Sequence, residues 1–132
     1  MKHPLIVLLM FCLFSLSIQA AEGDATSQYY RIQEPFNINF LRQSEQKARF
    51  LQIKVALKSS DPQIIQNAET NLPMIQDSLR ILFADQSMET ISSLEGRNAL
   101  QLEAYSVINE IFVREINNSN LEAVYFTGFI WQ

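Results

Sequence analysis

From Arg49 to Lys58 the chain alternates: Leu51, Ile53, Val55 and Leu57 fall on one side of an extended backbone, Gln52, Lys54 and Lys58 on the other. Strand side chains project with period two, so this segment predicts a strand with one buried face and one wetter face. The buried face needs a cover, and the long apolar periodicity that follows is helical. A small sheet packed by helices satisfies both at once.

The next residues supply the helices. Asp61 can cap a helix and Pro62 fits its first turn, where no N–H is needed. Ile64, Ile65, Ala68 and Leu72 keep helical spacing. Pro73 is expected to end or kink that helix, because the residue before proline avoids helical angles. Ile75, Leu79, Leu82 and Phe83 form the inner stripe of a second helix. Asp85 to Glu89 is a break, with Ser87 capping a short turn over Met88 to Ile91. Ser92 and Glu95 have capping-box spacing and are expected to open the longest helix. Leu100, Ala104, Val107, Ile108 and Ile111 keep one side of it apolar to about Ile116, and Asn117 to Asn120 stop it.

Two more strands frame this core. Phe36, Ile38 and Phe40 alternate behind Pro35, which suits a strand start or an edge. Val124 to Trp131 is apolar and β-rich, either central in the sheet or pressed against a partner. Its outward set is expected to be Tyr125, Thr127, Phe129 and Trp131, or the complement. The order strand, strand, helix, helix, helix, strand is segregated, so the fold class is α+β: a small antiparallel or mixed sheet packed by three to four helices.

The first residues concern destination. Lys2 and His3 precede an apolar run from Leu5 to Ile18, and small residues surround Ala20. That arrangement predicts an export signal or an N-terminal membrane anchor over residues 1–21. Leu5 to Ala21 holds 17 residues without charge, the lower edge of what spans a bilayer. Residues 22–28 are expected to be a short polar linker and 29–132 one domain outside the cytoplasm. Cleavage after Ala20 would leave 112 residues with no Cys, no His and a net charge of −5. Such a domain is stable through its core alone, which this length allows.

Composition then removes most chemistry. The chain has one His and one Cys, too few for a zinc site of the usual kind, for a disulfide, or for a Ser–His–Asp or Cys–His nucleophile. Lys54 and Lys58 lack a Ser-x-x-Lys partner motif, and Ser44, three residues before Lys47, is a bare spacing that assigns no nucleophile by itself. Gly23, Gly96 and Gly128 stand apart, so no phosphate-cradling loop is present. Asp85 and Glu89 lack the glycine and closing glutamate of a calcium loop. Glu103 and Glu110, with Glu89 and Glu95 near the start of the long helix, are the remaining acid–base kit, and a solvated helix face is the simpler explanation of them. Asn117-Asn118-Ser119 fits a glycosylation triplet and, more simply, a polar turn. A net charge of −4 argues against nucleic acid. Arg42, Lys47, Arg49, Lys54 and Lys58 cluster in one third of the chain: a soluble sheet face, or a patch for an acidic partner or lipid head groups. No catalytic, cofactor-binding or metal-binding residue is assigned, and no cofactor is expected.

An ordered set of residues carries a resemblance. It comprises Tyr30, Pro35-Phe36 and Asn39; Leu51 to Leu57; Ser60-Asp61-Pro62; Pro73 with Ile75, Asp77, Leu79 and Leu82; Leu94-Glu95-Gly96 and Leu100; Ile108-Asn109; and Val124 to Thr127 with Phe129 and Gln132. In this set the chain resembles the FliL family of flagellar basal-body proteins. The resemblance implies a stomatin-like (SPFH-like) domain on the periplasmic side of a bacterial inner membrane. It also implies ring-forming self-association, contact with flagellar stator units, and a non-catalytic role in motility. The short leader keeps open a soluble periplasmic paralogue or a membrane-surface adaptor without a flagellar role. A secreted hydrolase using carboxylates alone is the rival from another class; it needs two acidic side chains facing each other across a pocket.

Overall fold

The computed structural model describes residues 26–39 and 49–132. Their order is β1 (Gln28–Arg31), β2 (Phe36–Asn39), β3 (Phe50–Ser59), α1 (Pro62–Thr70), α2 (Leu72–Ala84), α3 (Met88–Ser92), α4 (Leu94–Ile116) and β4 (Ala123–Trp131). The class is α+β, with a small antiparallel sheet and helices.

The alternating strand is the hub of the sheet. β4 runs antiparallel along one edge of β3, pairing Leu51 with Trp131 and Lys58 with Ala123. β1 and β2 share the other edge end to end: Tyr30 pairs with Leu57, and Phe36 pairs with Ile53. The segment up to Asn39 therefore holds two short strands where one was expected, and Phe40 lies outside the described residues. Ile32 still donates its N–H to Val55 O at 3.0 Å and is buried, but Gln33 to Pro35 leave the ladder. Pro35 has no N–H to give, so the edge breaks there.

Leu51, Ile53, Val55 and Leu57 are at most 1% exposed. Against them pack Ile64 and Ala68 of α1, Ile75, Leu79 and Phe83 of α2, and Leu100, Ala104, Ile108 and Phe112 of α4. Phe83 stands at the centre. Its ring meets Phe36 edge-on at 5.3 Å between centroids and Phe126 edge-on at 5.6 Å. Perpendicular rings place a positive edge on a negative face, the favoured aromatic geometry.

The helix boundaries follow local chemistry, with two corrections. Asp61 accepts a hydrogen bond from Gln63 N at 2.9 Å, and Pro62 opens α1. Pro73 does not end that helix: α1 closes at Thr70, and Pro73 lies in the first turn of α2, where its missing N–H costs nothing. The long helix is capped by Ser93, not Ser92. Ser93 Oγ accepts from Gly96 N at 2.9 Å, while Ser92 Oγ turns back to donate to Glu89 O. Ser93 is the residue with extended backbone, which a cap requires. Ser87 caps α3 as expected, accepting from Thr90 N. Asn117 ends α4 in the left-handed region with φ 51°, which asparagine tolerates better than most residues.

The outer strand β4 corrects a further expectation. It is an edge strand, not a central one. The register shifts between Lys54 and Val55, so Thr127 bulges out of the ladder. Phe126 pairs with inward-facing Val55, while Gly128 pairs with outward-facing Lys54. The extra residue switches the parity of the strand. Tyr125 and Ile130 thus face outward together, while Phe126 and Phe129 both pack on the core. Neither alternate set read from simple period-two counting is correct.

Candidate functional site

α1, α2 and α4 pack on one side of the sheet, with α3 held against α4, and among the described residues no helix covers the other side. That outer face is where the described structure presents chemistry. Arg31 comes from β1, Lys54 and Lys58 from β3, and Tyr125 and Ile130 from β4. No Asp or Glu occurs in any of the four strands; Glu122, just before β4, lies at one end of the sheet, where its carboxylate accepts from Ser27 Oγ at 3.0 Å.

Its apolar part is local and ordered. Ala56 has Arg31 and Tyr125 as its cross-strand partners and is only 2% exposed. Tyr29 and Tyr125 lie over this region with ring centroids 6.4 Å apart and planes tilted by 39°. Both rings stay exposed, as do Phe50 and Ile130. Gln52 donates to Asn37 Oδ1 at 3.0 Å and fills the polar end. A small alanine flanked by two tyrosines and two long cations makes a surface suited to an acidic, partly apolar partner.

Of the basic cluster, Lys54 and Lys58 share this face; Arg49 lies just before β3, and Arg42 and Lys47 lie outside the described residues. Arg31 and Tyr29 were missed because β1 was not recognised. The alternation of Tyr29 and Arg31 with Tyr30 and Ile32 was the available signal. Among the closing aromatics, Tyr125 belongs to the outer face. Phe129 packs inward beneath Arg97, whose guanidinium carbon lies 5.4 Å from the ring centroid. Trp131 pairs with Leu51 at the end of the sheet and is partly exposed.

The acidic residues gather elsewhere. Glu95, Glu103 and Glu110 are exposed along α4, as are Leu102 before Glu103 and Val113 after Glu110. Glu89 is exposed on α3. Glu103 and Glu110 do not line the surface depressions around Ile81, Asp61 and Tyr105. The facing pair of carboxylates that a glycoside hydrolase needs is not formed by these two. Among the described residues no group of three or more His, Cys, Asp or Glu is placed to hold a metal ion.

Asp61 has a different duty. Its Oδ2 accepts from Asn118 Nδ2 at 2.7 Å and from Asn120 Nδ2 at 2.8 Å. Ser59 Oγ donates to Asn120 O at 2.8 Å, and Asn120 N donates to Asn118 Oδ1. These bonds, Asn120 first, hold the Asp61 carboxyl below the usual carboxylate range. The Asn117-Asn118-Ser119 turn is therefore a structural tie between the end of α4 and the start of α1.

The expected signal or anchor over residues 1–21 and the expected linker, up to Ala25, lie outside the described residues. Among the described residues no helix is long and apolar enough to cross a membrane.

Residues 29–132 match the family model of the flagellar basal body-associated protein FliL. The flagellar protein FliL of Aquifex aeolicus (strain VF5) is 26% identical over 103 residues, which cover 78% of this chain and 60% of that protein. The chain thus spans less than two thirds of the length of the curated relative it matches.

Proposed function

This chain belongs to the FliL family of flagellar basal body-associated proteins, and on that premise we propose that it is a non-catalytic assembly component of the flagellar motor. It supports the stator units and hence motility through repeated protein–protein contact. Residues 1–21 direct or anchor it, the residues from 22 to the start of β1 at Gln28 form a tether, and the rest of the chain works on the periplasmic side of the inner membrane as a stomatin-like, ring-forming domain. The observation that carries this reading is the extent of the family match, which runs from β1 to the end of β4.

The arrangement of side chains supports a binding role. Glu95, Glu103 and Glu110 are exposed on α4, and among the described residues the outer sheet face presents tyrosines and cations to the surface. Deleting the gene and scoring swimming and swarming under viscous load tests the reading. Impaired movement, restored by the gene in trans, is expected; unchanged movement refutes a stator-supporting role.

One observation favours a second reading. Arg31, Lys54 and Lys58 share a face without acidic neighbours in its strands, as a membrane-surface adaptor would require. Sedimentation of the purified chain with anionic vesicles decides it: salt-sensitive binding supports the adaptor, and no binding removes it.

A further inference from the structure

We propose that Met74 is a site of reversible sulfur oxidation, at which the Arg114 guanidinium holds the resulting sulfoxide.

Two methionines fall among the described residues, and their surroundings differ. Met88 of α3 is half-buried and packs against the core. Met74 lies in the first turn of α2 and is 36% exposed. Its Sδ accepts a hydrogen bond from Arg114 Nη2 at 3.2 Å. The same guanidinium donates from Nε to Glu115 Oε1 at 3.1 Å, and Arg114 is itself exposed. The start of α2 thus meets the last turn of α4 through a thioether on one helix and a guanidinium on the other. A thioether is a weak acceptor, whereas a guanidinium carries five donors in a fixed fork. The pairing suits a sulfoxide oxygen better than it suits sulfur.

A two-electron oxidant such as hydrogen peroxide supplies that oxygen. A sulfur lone pair attacks one peroxide oxygen, the O–O bond breaks and an S–O bond forms. The proton on the transferred oxygen passes to the departing one, which leaves as water. Sulfur loses two electrons and the peroxide gains them. A dithiol-dependent reductase reverses the step: two thiols become a disulfide, and the oxygen leaves as water. The sulfoxide oxygen carries partial negative charge. At Met74 it meets Arg114 and the positive end of α2, because helical side chains lean toward the N-terminus and no side chain caps this one. At Met88 the same oxygen would enter apolar surroundings, the usual route by which methionine oxidation disrupts a core. Arg114 also engages one of the two sulfur lone pairs. Oxidant reaches the other, so one sulfoxide epimer forms in excess.

The test treats the full-length chain with dilute hydrogen peroxide. Trypsin then separates Met74, in residues 59–80, from Met88, in residues 81–97. Met74 is expected to oxidise about tenfold faster than Met88 in the folded chain, and at an equal rate in urea. Two stereospecific sulfoxide reductases, one for each epimer, are expected to find about a threefold excess of one epimer at Met74 and equal amounts in Arg114→Ala. In a Met88→Leu background, oxidation is expected to leave the urea midpoint unchanged with Arg114 present and to lower it in Arg114→Ala. Arg114 is exposed, so its removal leaves the core intact. Oxidation of Met88 as fast as Met74 in the folded chain overturns Met74 as the site. An epimer excess that survives Arg114→Ala overturns the blocked lone pair. An effect of oxidation on the midpoint that is the same in both chains, whether a loss or none, overturns Arg114 as the holder of the sulfoxide.

Discussion

Lys54 lays the aliphatic stem of its side chain across Gly128, its register partner on β4. A Cβ at residue 128 would stand 3.2 Å from Lys54 Cδ and 3.3 Å from Cγ. Glycine at this position lets a cation lie flat on the sheet with its ammonium projecting at the face. The obstructing atoms belong to a flexible, exposed side chain. Glycine also weakens a strand interior relative to alanine by about 0.5–1 kcal/mol. Gly128→Ala is therefore expected to leave stability unchanged or raise it by up to about 1 kcal/mol, measured by urea denaturation. A loss above about 2 kcal/mol would contradict this geometry.

Gly96 is the opposite case. A Cβ there would lie 2.1 Å from the carbonyl oxygen of Thr90, a backbone atom. The joint between α3 and α4 would have to open. Gly96→Ala is expected to cost about 2–3 kcal/mol by the same measurement, as overpacking commonly does. The two glycines share a residue type, and the neighbouring atom decides the outcome.

Phe83 is expected to be the most sensitive core position. It is fully buried and its ring touches both Phe36 of β2 and Phe126 of β4. Phe83→Ala should lose about 3–5 kcal/mol, with a smaller loss for Phe83→Leu, which refills part of the space. Thermal unfolding followed by circular dichroism checks this. Equal losses for the two substitutions would show that the edge-on contacts, not the filled volume, dominate.

Much of this architecture is legible in the sequence, and the failures have physical causes. The β3 alternation, the Asp61-Pro62 helix start and the Ser87 cap depend on residues within one turn of each other, and the chain realises them as expected. Pro73 was misassigned because a proline can stop one helix or begin another, and only its place relative to Asn71 decides. The parity of β4 was hidden because a bulge is a relation between two strands, fixed by Lys54 and Val55 and not by Thr127 alone. For the candidate site, Lys54 and Lys58 were visible as one face of one strand. Tyr29, Arg31 and Tyr125 join them only through cross-strand pairing with Ala56 and Lys58.

Tyr30 gives an alkaline prediction. Its hydroxyl donates to Glu69 Oε2, tying β1 to α1. Burial first, then the hydrogen bond and the charge of Glu69, raise its pKa from 10.0 to about 12. A phenol stabilised in its protonated form contributes fully below 10.0, and that contribution fades as pH rises through about 12. Ultraviolet titration should show one tyrosine ionising about two units later than usual, and Tyr30→Phe should remove that step. A titration unaltered by the substitution would place the late step on another residue.

Asp61 gives the acid counterpart, with the opposite sign. Two side-chain amides and one backbone N–H favour its ionised form, so its pKa in the fold lies below 3.8. A carboxyl with a lowered folded pKa stabilises the fold above 3.8 and loses that contribution as pH falls through the lower folded value. Asp61→Asn keeps the shape and one acceptor, but sets its own NH2 group against the amide donors of Asn118 and Asn120. The variant is expected to be less stable than the natural chain at neutral pH. The gap should narrow steadily as the medium becomes acidic, because the natural Asp61 then gives up its charge-assisted bonds. Denaturation midpoints taken along a pH series measure this. A gap independent of pH would mean that the tie between α1 and the Asn118–Asn120 turn depends on shape alone and not on the charge of Asp61.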